Sequence, residues 1–488
     1  MGIHLTKSRY LTGLHCSKKL WLSTHRYELG EYVKSFAATI GDEVGVGATT
    51  NYPNGKMIQA SYKEHEAAVK ETLELINDDE TGAIFEAAFE YDNIRIRVDI
   101  FERLGDNKWG IREVKSSKSV QDHFYNDIGI QYYVLVGLGY NIISAKLIHT
   151  NSNYILKGKE IDWGNFFSTV EYLPGIKESL PEIKKELLRL REIQHDTKEP
   201  FIYPSKGFCK GCEFWNYCTK EKPSDWVEHL PRLSPKKRNE LQELKIENIA
   251  KIPEGFSLTN NQSKVVNATK TGKVFCDDSF SSEIKKYNPP AYYFDFETLS
   301  CAIPIFQGLK PFERVPFQWS LHHLSAEGKT QHWEFLAREK TDFRREMIES
   351  FINIVHPNQD KIIVYNASFE KSVLKKMGVL YPDLQDKIDN IIERIEDLMA
   401  FIKENFYHPQ FNGSFSLKKV LPALLPHEEQ YSEGEVSGGD EAQAQFYNLI
   451  CDKYDQNKKA TVADDLIAYC NKDTHSLILI YQHLLKNY

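Results

Sequence analysis

The sequence predicts an α/β protein in which a helical connector joins two mixed domains. Apolar and polar residues alternate over residues 83–103 around an Asp-Asn pair, which is typical of a β-hairpin. Strand-like runs alternate with segments of helical periodicity after this hairpin and again after residue 290. The stretch between them is rich in Pro, Ser, Asn and Lys and has a helical pattern. We therefore expect domains at residues 1–222 and 291–488 and the connector at residues 223–290.

Composition places the chain among globular proteins. Its 488 residues, of which 41% are hydrophobic, are enough for more than one core. The opening segment has no apolar run long enough for a signal peptide or a membrane span, so we expect a cytoplasmic protein without a membrane partner. The formal net charge of −8 differs from the basic surplus of most nucleic-acid-binding domains. A nucleic-acid partner therefore requires local basic stretches, or metal ions that restore attraction for phosphate.

The first domain has the pattern of a mixed sheet with helices. After the hairpin, WGIREVK has the composition of a further strand. A helical pattern follows, then another apolar strand, then a long amphipathic helix that leads into a group of cysteines. The predicted strands span residues 109–115 and 142–149, and the predicted helices span residues 120–138 and 176–194. This order of elements is that of an α/β domain.

Charged residues in this domain have the spacing of a metal-dependent phosphodiesterase. Asp99 lies at the end of the hairpin, and Glu113 and Lys115 project from one face of the next strand. Two carboxylates can hold Mg²⁺ or Mn²⁺, while a nearby ammonium orients water or stabilises developing charge. Asp127 and Gln131 are four residues apart on the following helix, so they share a face that can reach the same place. An E-x-K pattern alone is a weak signal, because charges alternate on many exposed strands.

Four of the eight cysteines have the spacing of metal ligands. Three are close together in Cys209-x2-Cys212-x5-Cys218, and Cys16 lies far upstream. Eight cysteines in a chain of this length are too few for a disulfide scaffold. Four thiolates would instead join the two ends of the first domain, and their spacing is compatible with zinc and with an iron–sulfur cluster.

Five segments of the first domain together resemble one nuclease family. They are LTKSRYLTGLHCSKKLWL, RVDI, REVKSS, DIGIQYY and FCKGCEFWNYC, and in this order they are similar to RecB-type PD-(D/E)XK nucleases that carry a 4Fe–4S cluster. The most similar branches are the CRISPR-associated adaptation nuclease and the AddB-type repair subunits. The resemblance implies a restriction-endonuclease-like fold in which Asp99, Glu113 and Lys115 are catalytic. It also implies that the four cysteines hold iron in preference to zinc.

The same resemblance implies two further roles. Gln131 would act in catalysis by orienting the substrate, although Leu135 stands where the family often has a tyrosine. The family also has a helical metal ligand, for which Glu43 and His65 are the candidates.

The second domain contains another set of acids. Asp295 and Glu297 are two residues apart in the apolar strand AYYFDFET, an arrangement that is costly unless a cation lies between them. Glu370 follows a second strand, DKIIVYNA, and we expect a helix after each of these two strands. Tyr469 and Asp473 are four residues apart on a predicted helix and share a face. Divalent metal is the natural partner of such acids.

In this order the pieces resemble DnaQ-type DEDD exonucleases of the subgroup with tyrosine before the last acid. The resemblance implies an RNase H-like domain with two metal ions, held by Asp295, Glu297 and Asp473, while Tyr469 positions water. Glu370 stands where the family usually has aspartate. Asp397 is a candidate for an extra ligand or a substrate contact. The joined architecture resembles a bacterial family of uncharacterised fusion proteins.

These observations predict a metal-dependent nuclease with two active sites, acting on DNA ends or single strands in repair or in defence against foreign DNA. The expected cofactors are a 4Fe–4S cluster and Mg²⁺ or Mn²⁺. One alternative is an iron–sulfur nucleic-acid-binding module in which one or both nuclease sites are inactive. The other is an exonuclease whose substrate is RNA, although DNA is the favoured partner.

Overall fold

The computed structural model describes residues 4–428, 436 and 438–488. The chain divides into two compact units. The first unit comprises residues 1–220 and 301–313, and the second comprises residues 221–300 and 314–488. The expected end of the first domain at residue 222 lies two residues from this division, and the predicted connector belongs to the second unit.

The first unit is built on a sheet covered by helices. Its strands are β1 (Leu5–Thr6), β2 (Gly55–Met57), β3 (Ala83–Tyr91), β4 (Ile94–Gly105), β5 (Lys108–Lys115), β6 (Asn141–Thr150) and β7 (Phe167–Glu171). Its helices are α1 (Lys7–His15), α2 (Ser17–His25), α3 (Phe36–Thr49), α4 (His65–Ile76), α5 (Phe124–Gly137), α6 (Trp163–Phe166), α7 (Leu173–His195) and α8 (Trp215–Thr219). The sheet order is β2-β3-β4-β5-β6-β7, and β1 pairs in parallel with β4.

The hairpin and the strands that follow it confirm the sequence prediction. β3, β4 and β5 are antiparallel, and β6 is parallel to β5 across the connecting helix α5. Asp92 and Asn93 form the turn with positive φ angles of 49° and 58°, the conformation that a tight hairpin turn requires. Helix α5 begins at Phe124, four residues later than predicted, because Ser117 donates a hydrogen bond to the carbonyl of Ser119 and holds a loop there.

The core of this unit lies between the sheet and helices α5 and α7. Apolar residues of α5, among them Ile128, Val134 and Leu135, are fully buried against the sheet. The helix contacts β3, β4, β5 and β6, and α7 packs on its other side. Because α5 is covered along most of its surface, its polar residues Asp127 and Gln131 are also buried. The fold therefore places these two polar side chains beneath the strands that carry the predicted acids.

The second unit has a five-stranded sheet and a small two-stranded sheet. Its strands are β8 (Phe275–Cys276), β9 (Ala291–Ser300), β10 (Arg314–Leu324), β11 (Thr330–Leu336), β12 (Lys361–Val364), β13 (Ile395–Asp397) and β14 (Phe406–Tyr407). Its helices are α9 (Pro235–Glu243), α10 (Asn260–Thr271), α11 (Phe280–Glu283), α12 (Arg344–Val355), α13 (Ala367–Leu380), α14 (Gln385–Glu393), α15 (Leu398–Asn405), α16 (Leu417–Leu424), α17 (Gly439–Ile450) and α18 (Gln456–Asn487).

The large sheet has the order β11-β10-β9-β12-β13. β9, β10 and β11 are antiparallel, whereas β12 and β13 run parallel to β9. The helix predicted after β12 is confirmed as α13. The helix predicted directly after β9 is wrong, because the next element is strand β10. Residues 315–322 of β10 are all buried. Their sequence, VPFQWSLH, alternates apolar and other residues, a pattern that indicates a strand.

The predicted connector is helical, as expected, but it is packed into the second unit. The side chains of Thr259 and Gln262 form a capping box at the start of α10, and Gln262 also donates to the carbonyl of Pro231. Arg238 forms an ion pair with the buried carboxylate of Glu228. β8 pairs with β14, which joins this stretch to the rest of the unit.

Candidate functional sites

Three acids of the second unit converge on one point. Asp295 and Glu297 project from the same face of β9, and Asp473 faces them from α18. Their ligand atoms all lie within 4.8 Å of one another. Among the residues that the structure describes, this is the only group of three or more His, Cys, Asp or Glu ligands with that property. We call it the C-terminal triad, and its spacing suits one divalent cation held by carboxylate oxygens.

Helix α18 is fixed against the sheet at the level of the triad. The Gln318 side chain of β10 donates to the carbonyl of Leu466 at 2.7 Å, and the hydroxyls of Ser320 and Thr474 are 2.8 Å apart. The buried thiol of Cys470 lies 4.0 Å from Asp295 Oδ2, and burial followed by the charge of Asp295 raises its pKa well above the usual value. Cys470 was not predicted from the sequence, although this residue follows the predicted Tyr469 directly.

The acids of the triad repel one another, and their raised pKa values indicate a site that favours a positive charge. Burial, followed by repulsion from Asp473 and Glu297, raises the pKa of Asp295 well above its usual range. Burial and Asp473 raise the pKa of Glu297 to about 8, although Lys418 opposes that rise. These carboxyls therefore retain protons near neutral pH in the absence of metal, and a divalent cation would displace those protons.

Glu370 brings a fourth carboxyl to the same place. It lies in the first turn of α13, is 2% exposed, and has no hydrogen-bond partner for Oε2. Burial raises its pKa to about 8. It lines a cavity of about 380 Å³ together with Asp295, Asp473 and Tyr469. Burying a carboxylate oxygen without a partner costs free energy, so a cation or a hydrogen-bond donor in this cavity would stabilise Glu370.

Lys418 and Tyr469 also line this cavity, and they come from two different helices. Lys418 is in the first turn of α16, and its Nζ lies 5.4 Å from the centroid of the Tyr469 ring. Tyr469 lies one turn before Asp473 on α18, as the sequence predicted. The cavity therefore combines carboxyl groups with the ammonium of Lys418 and the phenols of Tyr365 and Tyr469.

Asp397, predicted as an extra ligand or substrate contact, accepts two backbone hydrogen bonds. Its Oδ1 accepts a hydrogen bond from the backbone N–H of Ala400, and its Oδ2 accepts one from Ala367, both at 2.9 Å. Asp397 thus caps the start of α15 and holds the start of α13. It does not belong to the C-terminal triad.

The predicted acids of the first unit also come together. Lys115 Nζ lies 2.6 Å from Glu113 Oε1 and 2.6 Å from Asp127 Oδ2. Gln131 donates from Nε2 to Glu113 Oε2 at 2.6 Å. Asp99 Oδ2 accepts the backbone N–H of Val114 at 2.8 Å. We call Asp99, Glu113 and Asp127 the N-terminal acid cluster.

A second lysine, Lys7, lies inside this cluster. Its Nζ is 3.0 Å from Glu113 Oε2, 3.2 Å from Asp127 Oδ1 and 3.8 Å from Asp99 Oδ1. Lys7 arrives there because β1 pairs with β4, which places the start of α1 beside the acids. Lys7 was not predicted from the sequence. It lies in the segment LTKSRY, but no local spacing relates this lysine to acids about a hundred residues away.

The two lysines reverse the electrostatics seen in the C-terminal triad. Burial would raise the pKa of Glu113, but Lys7 and Lys115 outweigh it and hold that pKa well below its usual range. Burial and the charge of Glu113 raise the pKa of Asp99 to about 7, and the same two causes raise the pKa of Asp127. Two ammonium groups thus face three carboxyls, one of which is partly protonated near neutral pH. The cluster is close to charge balance without metal.

Neither candidate for the helical metal ligand joins such a group in the described part of the chain. Glu43 lies on α3, which packs against β5. His65 begins α4, and its Nε2 is 3.9 Å from Glu90 Oε2. Burial, followed by the charge of Arg95, lowers the pKa of His65. His65 therefore belongs to a neighbouring group of charges, and Glu43 lies on the helix beside the strand of Glu113 and Lys115.

The four predicted cysteine ligands interact with one another across the first unit. Burial raises the pKa of Cys218 to about 11, with further contributions from Cys212, Cys209 and Cys16. The apolar cluster that contains Phe214 packs against Cys212 and Cys218. All eight cysteines of the chain are described and none forms a disulfide. Among the described residues no three of these sulfur atoms lie within 4.8 Å of one another.

Among the helices of the described residues, none combines the length and the apolar character that a bilayer crossing requires.

Comparison with known proteins finds similarity without a described activity. A family model described as a domain of unknown function, DUF2779, matches residues 292–416, which include β9 and α13. The chain is 28% identical over 224 residues to the uncharacterized protein MG366 homolog of Mycoplasma pneumoniae, a match that covers 42% of this chain and 33% of the relative. It is 27% identical over 253 residues to the uncharacterized protein MG366 of Mycoplasma genitalium, covering 47% and 37%. The chain thus spans about a third of the length of these relatives.

Proposed function

We propose that this protein is a metal-dependent nuclease whose main catalytic centre is the C-terminal triad. The observation that carries the proposal is the convergence of three carboxylates from β9 and α18 within 4.8 Å of one another. Their raised pKa values and the unpartnered Oε2 of Glu370 support it, because both indicate a site that is completed by a cation. Mg²⁺ and Mn²⁺ prefer such oxygen ligands.

A divalent ion bound in this site would act as a Lewis acid that polarises phosphate and activates water. Asp295, Glu297 and Asp473 would hold it, and the packing of α18 against β9 restricts their motion. Tyr469 lines the same cavity and is placed to orient a water molecule. Lys418 offers positive charge on the cavity wall, where it would counter the charge of a substrate phosphate.

The N-terminal acid cluster is proposed as a second nuclease centre, with Lys115 and Gln131 beside it. The contacts of Lys115 and Gln131 to Glu113 support a common role for these residues. In the described arrangement, however, the Lys7 ammonium lies between the acids, so a divalent cation fits there only when Lys7 has moved away, and no metal-dependent step is assigned to the site. This observation favours the second candidate function, a nucleic-acid-binding module in which the N-terminal site does not cut.

Four cysteines are proposed to hold a 4Fe–4S cluster. Four thiols with this spacing can hold either zinc or an iron–sulfur cluster, and the resemblance of the sequence to cluster-bearing nucleases favours the cluster. Since the cysteines come from segments about 190 residues apart, such a cluster would stabilise the first unit.

The cluster is tested by anaerobic purification and metal analysis. We expect a brown protein that contains iron, and loss of both colour and iron in Cys212→Ser. The matched control is Cys276→Ser, an exposed cysteine of the second unit. A colourless protein with stoichiometric zinc contradicts the iron–sulfur assignment.

Nuclease activity is tested on matched labelled DNA and RNA oligonucleotides with Mg²⁺, with Mn²⁺ and with chelator. We expect metal-dependent cleavage, faster on DNA, that falls strongly in Asp295→Asn and is further reduced when Lys115→Met is added. Asp386→Asn, an exposed carboxylate of the same unit, is the matched control. If Asp295→Asn and Lys115→Met each digest as fast as the wild type, the nuclease proposal fails. Cleavage of RNA alone would support the RNA-directed alternative.

A further inference from the structure

We propose that Lys7 is a built-in counter-cation of the N-terminal acid cluster and competes with a divalent metal ion for Asp99 and Glu113. The inference concerns the second nuclease centre and rests on the proposed function for the identity of the competing ion. It goes beyond that proposal because it assigns a role to a residue outside the D…E-x-K pattern.

Lys7 occupies the position that a shared metal ion would need. Its ammonium lies within 4 Å of a carboxylate oxygen of all three acids and contacts both oxygens of Glu113. Glu113 is 1% exposed, so solvent does not replace this contact. Two cations cannot share this position, because each would repel the other at short range in a buried site.

Charge arithmetic gives the same result. Three ionised carboxylates carry −3, and Lys115 contributes +1, which leaves −2. One divalent cation cancels that remainder, whereas the ammonium of Lys7 cancels half of it. Lys7 and a divalent ion are therefore alternative counter-charges for the same acids.

The backbone at Lys7 is held in place, whereas its ammonium stands at the end of a side chain with four rotatable bonds. Leu5 is buried and pairs with Ile94 of β4. Thr6 caps α1 by accepting a hydrogen bond from the backbone N–H of Arg9. Lys7 follows at the first position of the helix, and its stem of four carbons lets the ammonium move without a change in the backbone.

A nucleic-acid phosphate would attract the Lys7 ammonium away from the acids. Phosphate oxygens are strong acceptors for an ammonium group, so a substrate strand in the site offers Lys7 an alternative anion. The metal ion and the substrate would then bind the N-terminal site more tightly together than separately. Lys115 contacts Glu113 and Asp127 and remains in place in both states.

The test is Mn²⁺ binding to the full chain, measured by the paramagnetic resonance of free Mn²⁺. The double substitution Asp295→Asn, Glu297→Gln removes the C-terminal triad and serves as the background. We expect Lys7→Met to bind Mn²⁺ roughly tenfold or more tightly than that background. Lys7→Arg, which keeps the charge, should bind as weakly as the background. Lys70→Met, an exposed lysine of the same unit, is the matched control.

Thermal unfolding shows whether a variant folds poorly. Lys7→Met should be less stable than the background in chelator, and Mn²⁺ should restore its stability by more than it stabilises the background. Equal or weaker Mn²⁺ affinity in Lys7→Met, or a loss of stability that Mn²⁺ does not restore, overturns the proposal. These readouts need no substrate, so absence of nuclease activity would refute the proposed function and leave the role of Lys7 to be decided by Mn²⁺ binding alone.

Discussion

The N-terminal acid cluster and the C-terminal triad each gather three carboxylates from more than one secondary-structure element, but they differ in the source of their positive charge. The first cluster contains two ammonium groups within hydrogen-bond distance of Glu113. On the wall of the second cavity, Lys418 is the lysine that acts on the acids, and it only reduces the rise in the pKa of Glu297. Converging acids alone therefore do not define a metal site. The charges around them decide whether a metal ion is needed.

This difference predicts opposite responses to loss of an acid. Removing a carboxylate from the C-terminal triad relieves repulsion in the metal-free protein, whereas removing one from the N-terminal acid cluster takes an ionic partner from a buried ammonium. Variants of both sites follow, from the largest expected effect to the smallest.

Asp295→Asn should reduce metal-dependent cleavage by roughly a thousandfold, because a lost metal ligand removes several kcal/mol of transition-state stabilisation. The same change should raise the stability of the metal-free protein, since Asp295 is repelled by Asp473 and Glu297. Single-turnover cleavage and urea unfolding in chelator measure the two effects. A variant that is both inactive and less stable in chelator would show that the acids do not repel one another as described.

Glu370→Gln should stabilise the metal-free protein at alkaline pH by on the order of 2 kcal/mol. The folded pKa of Glu370, about 8, lies above its usual value of 4.5, so the folded state binds this proton more tightly than the unfolded chain does. Its stabilising contribution is therefore fully present below about pH 4.5 and is lost as pH rises through about 8.

Urea unfolding in chelator at about pH 5 and about pH 9 brackets that window. The wild type should lose more stability between the two values than Glu370→Gln does, and added Mn²⁺ should reduce the difference. Identical pH dependence in the two proteins would contradict a raised pKa at Glu370.

Gln131→Leu should lower stability by roughly 1 to 2 kcal/mol, because it removes the hydrogen bond to the buried carboxylate of Glu113. The effect should be the same with and without Mn²⁺ if Lys7 and Lys115 neutralise this cluster. Unfolding in both conditions measures it. A loss that Mn²⁺ fully restores would show that the N-terminal acid cluster takes up metal while Lys7 is in place.

Much of the fold was predictable because its signals are local. The hairpin of β3 and β4 is marked by alternation and by its Asp-Asn turn, and β5, β6 and α7 are marked by their own periodicity. The acids on β9 and the Tyr469–Asp473 pair on α18 could be found because fixed spacing on one element places side chains on one face. These predictions needed no knowledge of how the elements pack.

The remainder depended on contacts between distant residues. The exception is β10, whose alternation over residues 315–322 was a local signal for a strand. Lys7 reaches the N-terminal acid cluster only through the pairing of β1 with β4. Asp397 is one acid among several in the sequence, and only the folded structure shows that its two oxygens accept hydrogen bonds at the starts of α13 and α15. The partner of a charge, unlike its spacing, is a property of the tertiary structure.

Asp397→Ala has the smallest expected effect and separates a capping acid from a ligand. It should lower stability by about 1 kcal/mol, as expected for loss of a helix cap, and should leave Mn²⁺ affinity within about twofold of the wild type. Asp397→Asn, which retains an oxygen that accepts hydrogen bonds, should be nearly neutral in stability. A large loss of Mn²⁺ affinity in Asp397→Asn would return this residue to the metal ligands.

The most direct test of the contrast between the two clusters is a crystal structure of the full chain grown with Mn²⁺, with anomalous scattering used to locate the ion. We expect an anomalous peak bounded by Asp295, Glu297 and Asp473, with Lys7 still beside Glu113 in the first unit. A structure in which the three triad side chains point apart with no manganese between them would contradict the account.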